Sequence, residues 1–113
     1  MKTGAKAILT RVNEGEPVIT SIAHVSEVAC ILEGKIPLAE SRRIISDIVN
    51  KRSVEVIDVS RNLYASSIHA VGAYDIGIND ALAISIMKGR GVDEIYSFDK
   101  DLDNLPGIRR LHG

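Results

Sequence analysis

Four acidic side chains, Glu27, Asp80, Asp99 and Asp103, stand where this chain can do chemistry. Asp99 follows directly on the apolar run Ile95 to Phe98, which reads as a strand. In open α/β sheets, ligands gather beyond the carboxyl ends of strands. Asp80 stands next to Asn79 at the start of a strongly apolar helix, and Glu27 lies in a helix shortly after an apolar run ending at Thr20. Ala23, Cys30 and Ile31 occupy neighbouring positions on the side of Glu27. Carboxylates gathered in one cleft repel each other at neutral pH unless something positive sits among them. Oxygen-only ligands favour Mg²⁺ or Mn²⁺, which keep several waters and need few protein carboxylates. One or two such ions can activate a water and steady the leaving oxygen of a phosphodiester. Convergence of Glu27, Asp80 and Asp99 would therefore make a hydrolytic nuclease site, with a strand-end hydroxyl, Ser97, within reach of a ligand two residues away.

Each acid taken alone has a plainer explanation. Asp80 suits the first turn of a helix, where a negative charge complements the dipole. Glu27 fits a solvated helix face. Asp99, Asp101 and Asp103 fit a surface turn, where Asp is common. The stretch Asp99 to Asp103 starts like an EF-hand loop but does not continue as one: Asn104 stands at the glycine position and Arg110 at that of the bidentate glutamate. His24, His69 and His112 show no ligand spacing. Tyr64 and Tyr74 fit helical core or rim positions better than base-stacking platforms. Phosphate-binding loops, paired-cysteine motifs and HExxH are absent from the sequence.

The elements that must position these acids follow from apolar spacing and stop signals. Ala5, Ile8, Leu9 and Val12 mark a helix over Thr3 to Asn13, ended near Gly15. Pro17 to Thr20 reads as a buried strand, and Ser21 caps a helix reaching about Glu33, with Gly34 as its stop. Pro37 suits the first turn of a third helix carrying Ile44-Ile45 and Ile48-Val49, with Glu40 near its start and Lys51-Arg52 at its end. Val54 to Val59 reads as a strand with Val54, Val56 and Ile57 buried. Ser60 opens a helix with a stripe of Leu63, Tyr64, Ser67, Ile68 and Val71, and Gly72 to Gly77 reads as a connector. Asn79 is expected to cap a helix over Asp80 to Lys88 that is apolar almost all round, hence interior. Gly89-Arg90-Gly91 closes it, Glu94 to Phe98 forms a strand, and a loop through Gly107 leads to a short final segment. Strands alternating with helices imply a parallel sheet with helical crossovers.

Bulk properties agree with one soluble α/β domain. The chain has 113 residues, 45% hydrophobic and 26% charged, with only 4% aromatic residues, so Ile, Val, Leu and Ala must build the core. A net charge of −1 argues against tight nonspecific DNA binding, which rests on many phosphate contacts. It leaves room for an enzyme that grips a short stretch of RNA. Arg42, Arg43 and Lys100 are cations that could meet phosphate, although the sequence does not place them. One cysteine, Cys30, precludes an internal disulfide and fits a reducing compartment. No run has the length of a membrane span, and the start does not read as a signal peptide, so a cytoplasmic protein is expected.

Three blocks carry a resemblance to a known family. Gly15-Glu16-Pro17-Val18-Ile19-Thr20-Ser21 followed by Ser26-Glu27-Val28, then Ile78-Asn79-Asp80-Ala81-Leu82-Ala83, then Tyr96 to Asp103 with Pro106-Gly107-Ile108, resemble in order the conserved blocks of archaeal PIN (PilT N-terminus) domains. The resemblance spans about residues 5 to 111. It implies a three-layer α/β/α fold around a parallel sheet, forming a single domain over residues 1–113. It also implies a metal site for Mg²⁺ or Mn²⁺ made by Glu27, Asp80 and Asp99, with Asp103, Ser97 and Asn79 in support. The implied activity is endonucleolytic RNA cleavage by a metal-bound water. Many relatives are VapC-type toxins, which implies a homodimer held inactive by an antitoxin protein. Leu102 stands where the family commonly has Phe.

The family also begins with an apolar central strand ending in a first metal-binding Asp, and this chain starts about where the following helix would start. The expectation is that roughly 15 to 25 further residues precede Met1 in the natural protein, enough for one strand and a turn. The alternative is a catalytically silent PIN-like module that binds RNA or an antitoxin-like protein. A structural α/β domain without a site would require the three acids to be scattered.

Overall fold

A computed structural model describes residues 14–96, 105 and 107–111. The helix expected over Thr3 to Asn13 and the segment holding Ser97, Asp99, Lys100 and Asp103 lie outside the described residues. The chain is α/β, and its described strands pair in parallel. It divides into two compact units, one within Val12–Val59 and the other within Ser60–Gly113.

The first unit runs β1 (Val18–Ser21), α1 (Ile22–Glu33), α2 (Leu38–Asn50) and β2 (Val54–Ile57). β1 and β2 pair in parallel, Val18 opposite Val54 through Ser21 opposite Ile57, with two helices as the crossover that parallel strands require. Ser21 is both the last residue of β1 and the N-cap of α1, as its side chain predicts: its Oγ accepts a hydrogen bond from the His24 N–H at 3.2 Å. Gly34 ends α1, its N–H donating to the Leu32 carbonyl.

Two readings shift. Pro37 is the N-cap of α2 rather than a first-turn residue, with extended backbone (φ −58°, ψ 146°) that a proline ring adopts without cost. Lys51 lies just past the last turn and reaches back to Asp47 at 3.3 Å, so it forms an i,i+4 pair rather than a last-turn charge. β2 stops at Ile57, and Val54, Val56 and Ile57 are half-buried rather than buried. A parallel strand is fully enclosed when both faces and both edges are covered, and among the described residues β2 has one strand neighbour.

The second unit runs α3 (Arg61–Tyr74), α4 (Ile78–Arg90), β3 (Glu94–Tyr96) and β4 (Arg109–Leu111). Ser60 caps α3 as expected, its Oγ accepting from the Leu63 N–H at 3.1 Å. The helix does not stop at Gly72. It continues to Tyr74 and ends at Asp75, which takes the left-handed conformation at φ 54° and donates its N–H to the Val71 carbonyl. The chain then turns by 108° into α4. Gly77, not Asn79, is the N-cap of α4, so Asn79 and Asp80 fall in its first turn. Gly89 and Arg90 are helical, and Gly91 ends α4 at φ 66°.

The expectation of an interior helix is met. Ala81 and Leu82 of α4 are fully buried, Ile84 and Met87 nearly so, and Ile76, Ala81, Ile84, Met87 and Leu105 form one apolar cluster. Between α3 and α4, Ser67 and Ser85 hydroxyls meet at 3.3 Å while bonding the carbonyls of Leu63 and Ala81 in their own helices. Small hydroxyls at this crossing let the helices approach while every polar atom keeps a partner. The α3 stripe is broader than its buried face: Ser67 is buried, whereas Tyr64 and Ile68 are exposed. The final segment, which carries no strand signal of its own, is β4. It pairs in parallel with β3, Glu94 opposite Arg109, and these two side chains form an ion pair. Among the described residues no single helix is long and apolar enough to cross a membrane.

Candidate active site

Asp80 sits in the first turn of α4, where backbone N–H groups lack helical partners and a negative charge is favoured. Its position is fixed from below. Residues 80, 84 and 87 share one helix face, and Ile84 and Met87 are almost fully buried. Ala81 and Leu82, immediately after it, are completely buried. The Asp80 carboxyl is thus held at the head of the most deeply packed helix, half-buried, with its backbone unable to drift without disturbing the core. Asn79 beside it is also half-buried, and both have interaction partners.

Glu27 belongs to the other unit. It lies midway along α1, exposed, on the side opposite the buried Val25. The apolar neighbours expected to flank it do so, but Cys30 and Ile31 are themselves exposed, Ile31 at 52%. Apolar spacing alone does not distinguish an apolar surface from an apolar interior. Glu27 also has an interaction partner.

Asp99, Asp103 and Ser97 lie outside the described residues. Among the described residues, no three His, Cys, Asp or Glu side chains form a group able to hold a cation. The donor chemistry of Glu27, Asp80 and Asp99 is carboxylate oxygen throughout, which fits a hard divalent cation.

Two polar arrangements escaped the sequence reading. The Ser21 hydroxyl lies 2.5 Å from His24 Nδ1 while accepting the His24 N–H. The hydroxyl thus meets both the backbone and the ring of the same residue. This resembles a nucleophile–base pair, but Ser21 is completely buried, so the contact locks the strand-to-helix corner ahead of Glu27. At the other end of the α3–α4 pair, Lys88 Nζ lies 2.5 Å from the Tyr74 hydroxyl and 4.7 Å from the ring centroid. Tyr74 packs against the apolar cluster, and this contact fastens the C-terminal part of α4 to α3. Neither could be found from local spacing: a serine three residues before a histidine reads only as a cap, and residues 74 and 88 meet through the fold.

The PIN domain family model matches residues 2–108. Among solved structures, the chain is similar to VapC20 of Mycobacterium tuberculosis, described as a toxin that cleaves the sarcin–ricin loop. The TM-score is 0.73 at 19% sequence identity, over 90% of this chain and 81% of that one. No curated protein matches.

Proposed function

The chain belongs to the PIN domain family, and from that membership we propose that it is a metal-dependent endoribonuclease of the VapC-like toxin type. The observation that carries this reading is the family match along residues 2–108, supported by Asp80 standing at the head of the buried helix α4. The fold likeness to a toxin that cleaves the sarcin–ricin loop supports structured RNA as substrate. Glu27, Asp80 and Asp99 would hold Mg²⁺ or Mn²⁺, with Asp103, Ser97 and Asn79 in support. When bound, the ion supplies an activated water and charge stabilisation at the scissile phosphate. Asp80 contributes a carboxylate whose position is set by the packing of α4, so that little reorganisation accompanies binding. The half-buried Asn79 offers an amide to orient a carboxylate or a water next to it. As a VapC-like protein it would act in the cytoplasm as a homodimer and be silenced by an antitoxin protein.

The test pairs Mn²⁺ calorimetry with cleavage of a labelled RNA hairpin, using the wild-type chain and Asp80→Asn. Loss of a ligand should lower metal affinity and cleavage by about 100-fold or more, since even groups that merely support ligands are worth 10- to 100-fold. The substitution also removes a first-turn charge, which costs up to about 1 kcal/mol, so a melting curve verifies folding. Saturable metal binding without RNA cleavage would favour a silent binding module. Equal binding and cleavage by both proteins would remove Asp80 from the site.

A further inference from the structure

α2 presents to solvent a stripe that the metal chemistry does not use. Ala39, Arg42, Arg43, Ser46, Asp47 and Asn50 line one shallow groove along it. Their spacing of three and four residues puts them on a single helix face. The inward side of the helix is different, with Ser41 buried and Ile45 and Ile48 half-buried. Arg42 and Arg43 are both exposed, and no hydrogen bond or ion pair engages either guanidinium among the described residues. The one acid in the groove, Asp47, is matched by Lys51 at 3.3 Å. Asn50 donates its amide to the Ser46 carbonyl at 2.8 Å, which holds the far end of the stripe in place. Glu40, in the first turn, lies beside the groove rather than in it. The local balance is therefore two unneutralised cations on a chain whose net charge is −1.

We propose that this face of α2 grips the RNA backbone, with Arg42 and Arg43 on phosphates and the polar side chains beside them facing sugar and phosphate oxygens. This deepens the ribonuclease reading and rests on it for the choice of nucleic acid. A guanidinium offers a planar fork of donors that matches a phosphate in a bidentate manner. With no broad positive field to hold an anionic polymer, binding has to come from a few such contacts. The groove lining is polar apart from Ala39, and the exposed Leu38, Ile44 and Val49 of α2 lie outside it. Protein interfaces centre on apolar and aromatic anchors, whereas nucleic-acid interfaces are more polar and more positive. The composition of this face favours RNA over a protein partner.

Fluorescence anisotropy with a labelled single-stranded RNA, in EDTA to prevent cleavage, tests the proposal across a salt series. The proteins are the full wild-type chain, Arg42→Gln/Arg43→Gln, and Arg61→Gln as a matched loss of an exposed cation elsewhere. Each single-stranded phosphate contact contributes about 0.7 to the slope of log affinity against log salt, so the double variant should lose about 1.4 of that slope. Its affinity should fall roughly tenfold or more at moderate salt, while Arg61→Gln stays near wild type. Equal slopes and affinities for wild type and the double variant would overturn the proposal, as would a wild-type chain that binds no RNA. Selective loss of polyglutamate binding in the double variant, with RNA affinity unchanged, would assign the face to an acidic protein and overturn it too. If Arg-dependent RNA binding is seen but hairpin cleavage is absent, the nuclease reading fails and this one stands. If cleavage is seen and binding ignores both arginines, the reverse holds.

Discussion

The two units are built to different standards of closure. Within Ser60–Gly113, α4 buries Ala81, Leu82, Ile84 and Met87, and three of these, Ala81, Ile84 and Met87, join Ile76 and Leu105 in one cluster. Within Val12–Val59, the buried residues among those described are Val25 and two serines, Ser21 and Ser41. Exposed large apolar side chains divide the other way. Among the described residues, Ile19, Ile22, Val28, Ile31, Leu38, Ile44 and Val49 belong to the first unit and Tyr64 and Ile68 to the second. Both units contain helices of similar length and one parallel strand pair, so secondary structure does not make the difference. It lies in how many apolar side chains find an apolar neighbour. One proposed metal ligand, Asp80, stands on the closed unit and another, Glu27, on the open one.

The sharpest way to break this comparison is to cut equivalent volumes from both. Leu82→Ala removes a completely buried side chain and leaves a cavity. It should cost about 3–5 kcal/mol, near the top of the range for such truncations. Ile31→Ala trims a side chain that is 52% exposed and should stay within about 0.5 kcal/mol of wild type. Urea denaturation measures both. Similar losses would mean that Ile31 is covered in solution, and that the open appearance of the first unit is filled by an apolar partner.

Much of this contrast was written in the sequence, and part of it could not be. The run of apolar residues all round α4 identified an interior helix, because no orientation of such a helix satisfies water. Val25, Val28, Ala29 and Leu32 also share one face of α1 by spacing, yet Val25 is buried and Val28 exposed: periodicity names a face, while tertiary packing decides how much of it is covered. Helix starts were legible where a serine hydroxyl does the capping, at Ser21 and Ser60. They were misread where backbone conformation does it, as at Gly77, which caps α4 without a side-chain bond. β4 was illegible because Arg109-Arg110-Leu111 has no alternating pattern and becomes a strand through pairing with β3. For the site, the sequence located Asp80 at a helix start and Glu27 within a helix. Whether three acids meet depends on contacts between distant segments, which spacing does not encode.

The caps offer a finer comparison of the same two regions. Ser21 and Ser60 each accept a hydrogen bond from the N–H three residues on. Replacement of such a cap by alanine costs roughly 0.5–2 kcal/mol. Ser60 is exposed and water can take over its role, so Ser60→Ala should fall near the lower limit. Ser21 is fully buried and its hydroxyl also serves His24 Nδ1. Ser21→Ala removes both the cap bond and the contact to the imidazole from a buried corner, and should reach the upper limit. Equal losses, read from paired denaturation curves, would show that the buried corner before α1 is reached by water.

A small gain is expected at the junction of α3 and α4. Asp75 holds φ 54° and ψ 49°, the left-handed conformation that ends α3 and permits the 108° turn into α4. For an L-residue this conformation costs roughly 1–2 kcal/mol, less for Asp, whose short side chain tolerates it. Glycine pays no such steric cost but loses more freedom on folding, which offsets part of the benefit. Asp75→Gly should therefore stabilise the chain by a few tenths of a kcal/mol, up to about 1 kcal/mol. Removing a carboxylate from the C-terminal end of α3 acts in the same direction, because the helix dipole disfavours negative charge there. Asp75→Ala keeps the backbone strain and loses any local bonding by the carboxyl, so it should be no better than wild type. A melting temperature that rises for glycine and not for alanine would locate the gain in the backbone. Equal gains from both would locate it in the charge instead.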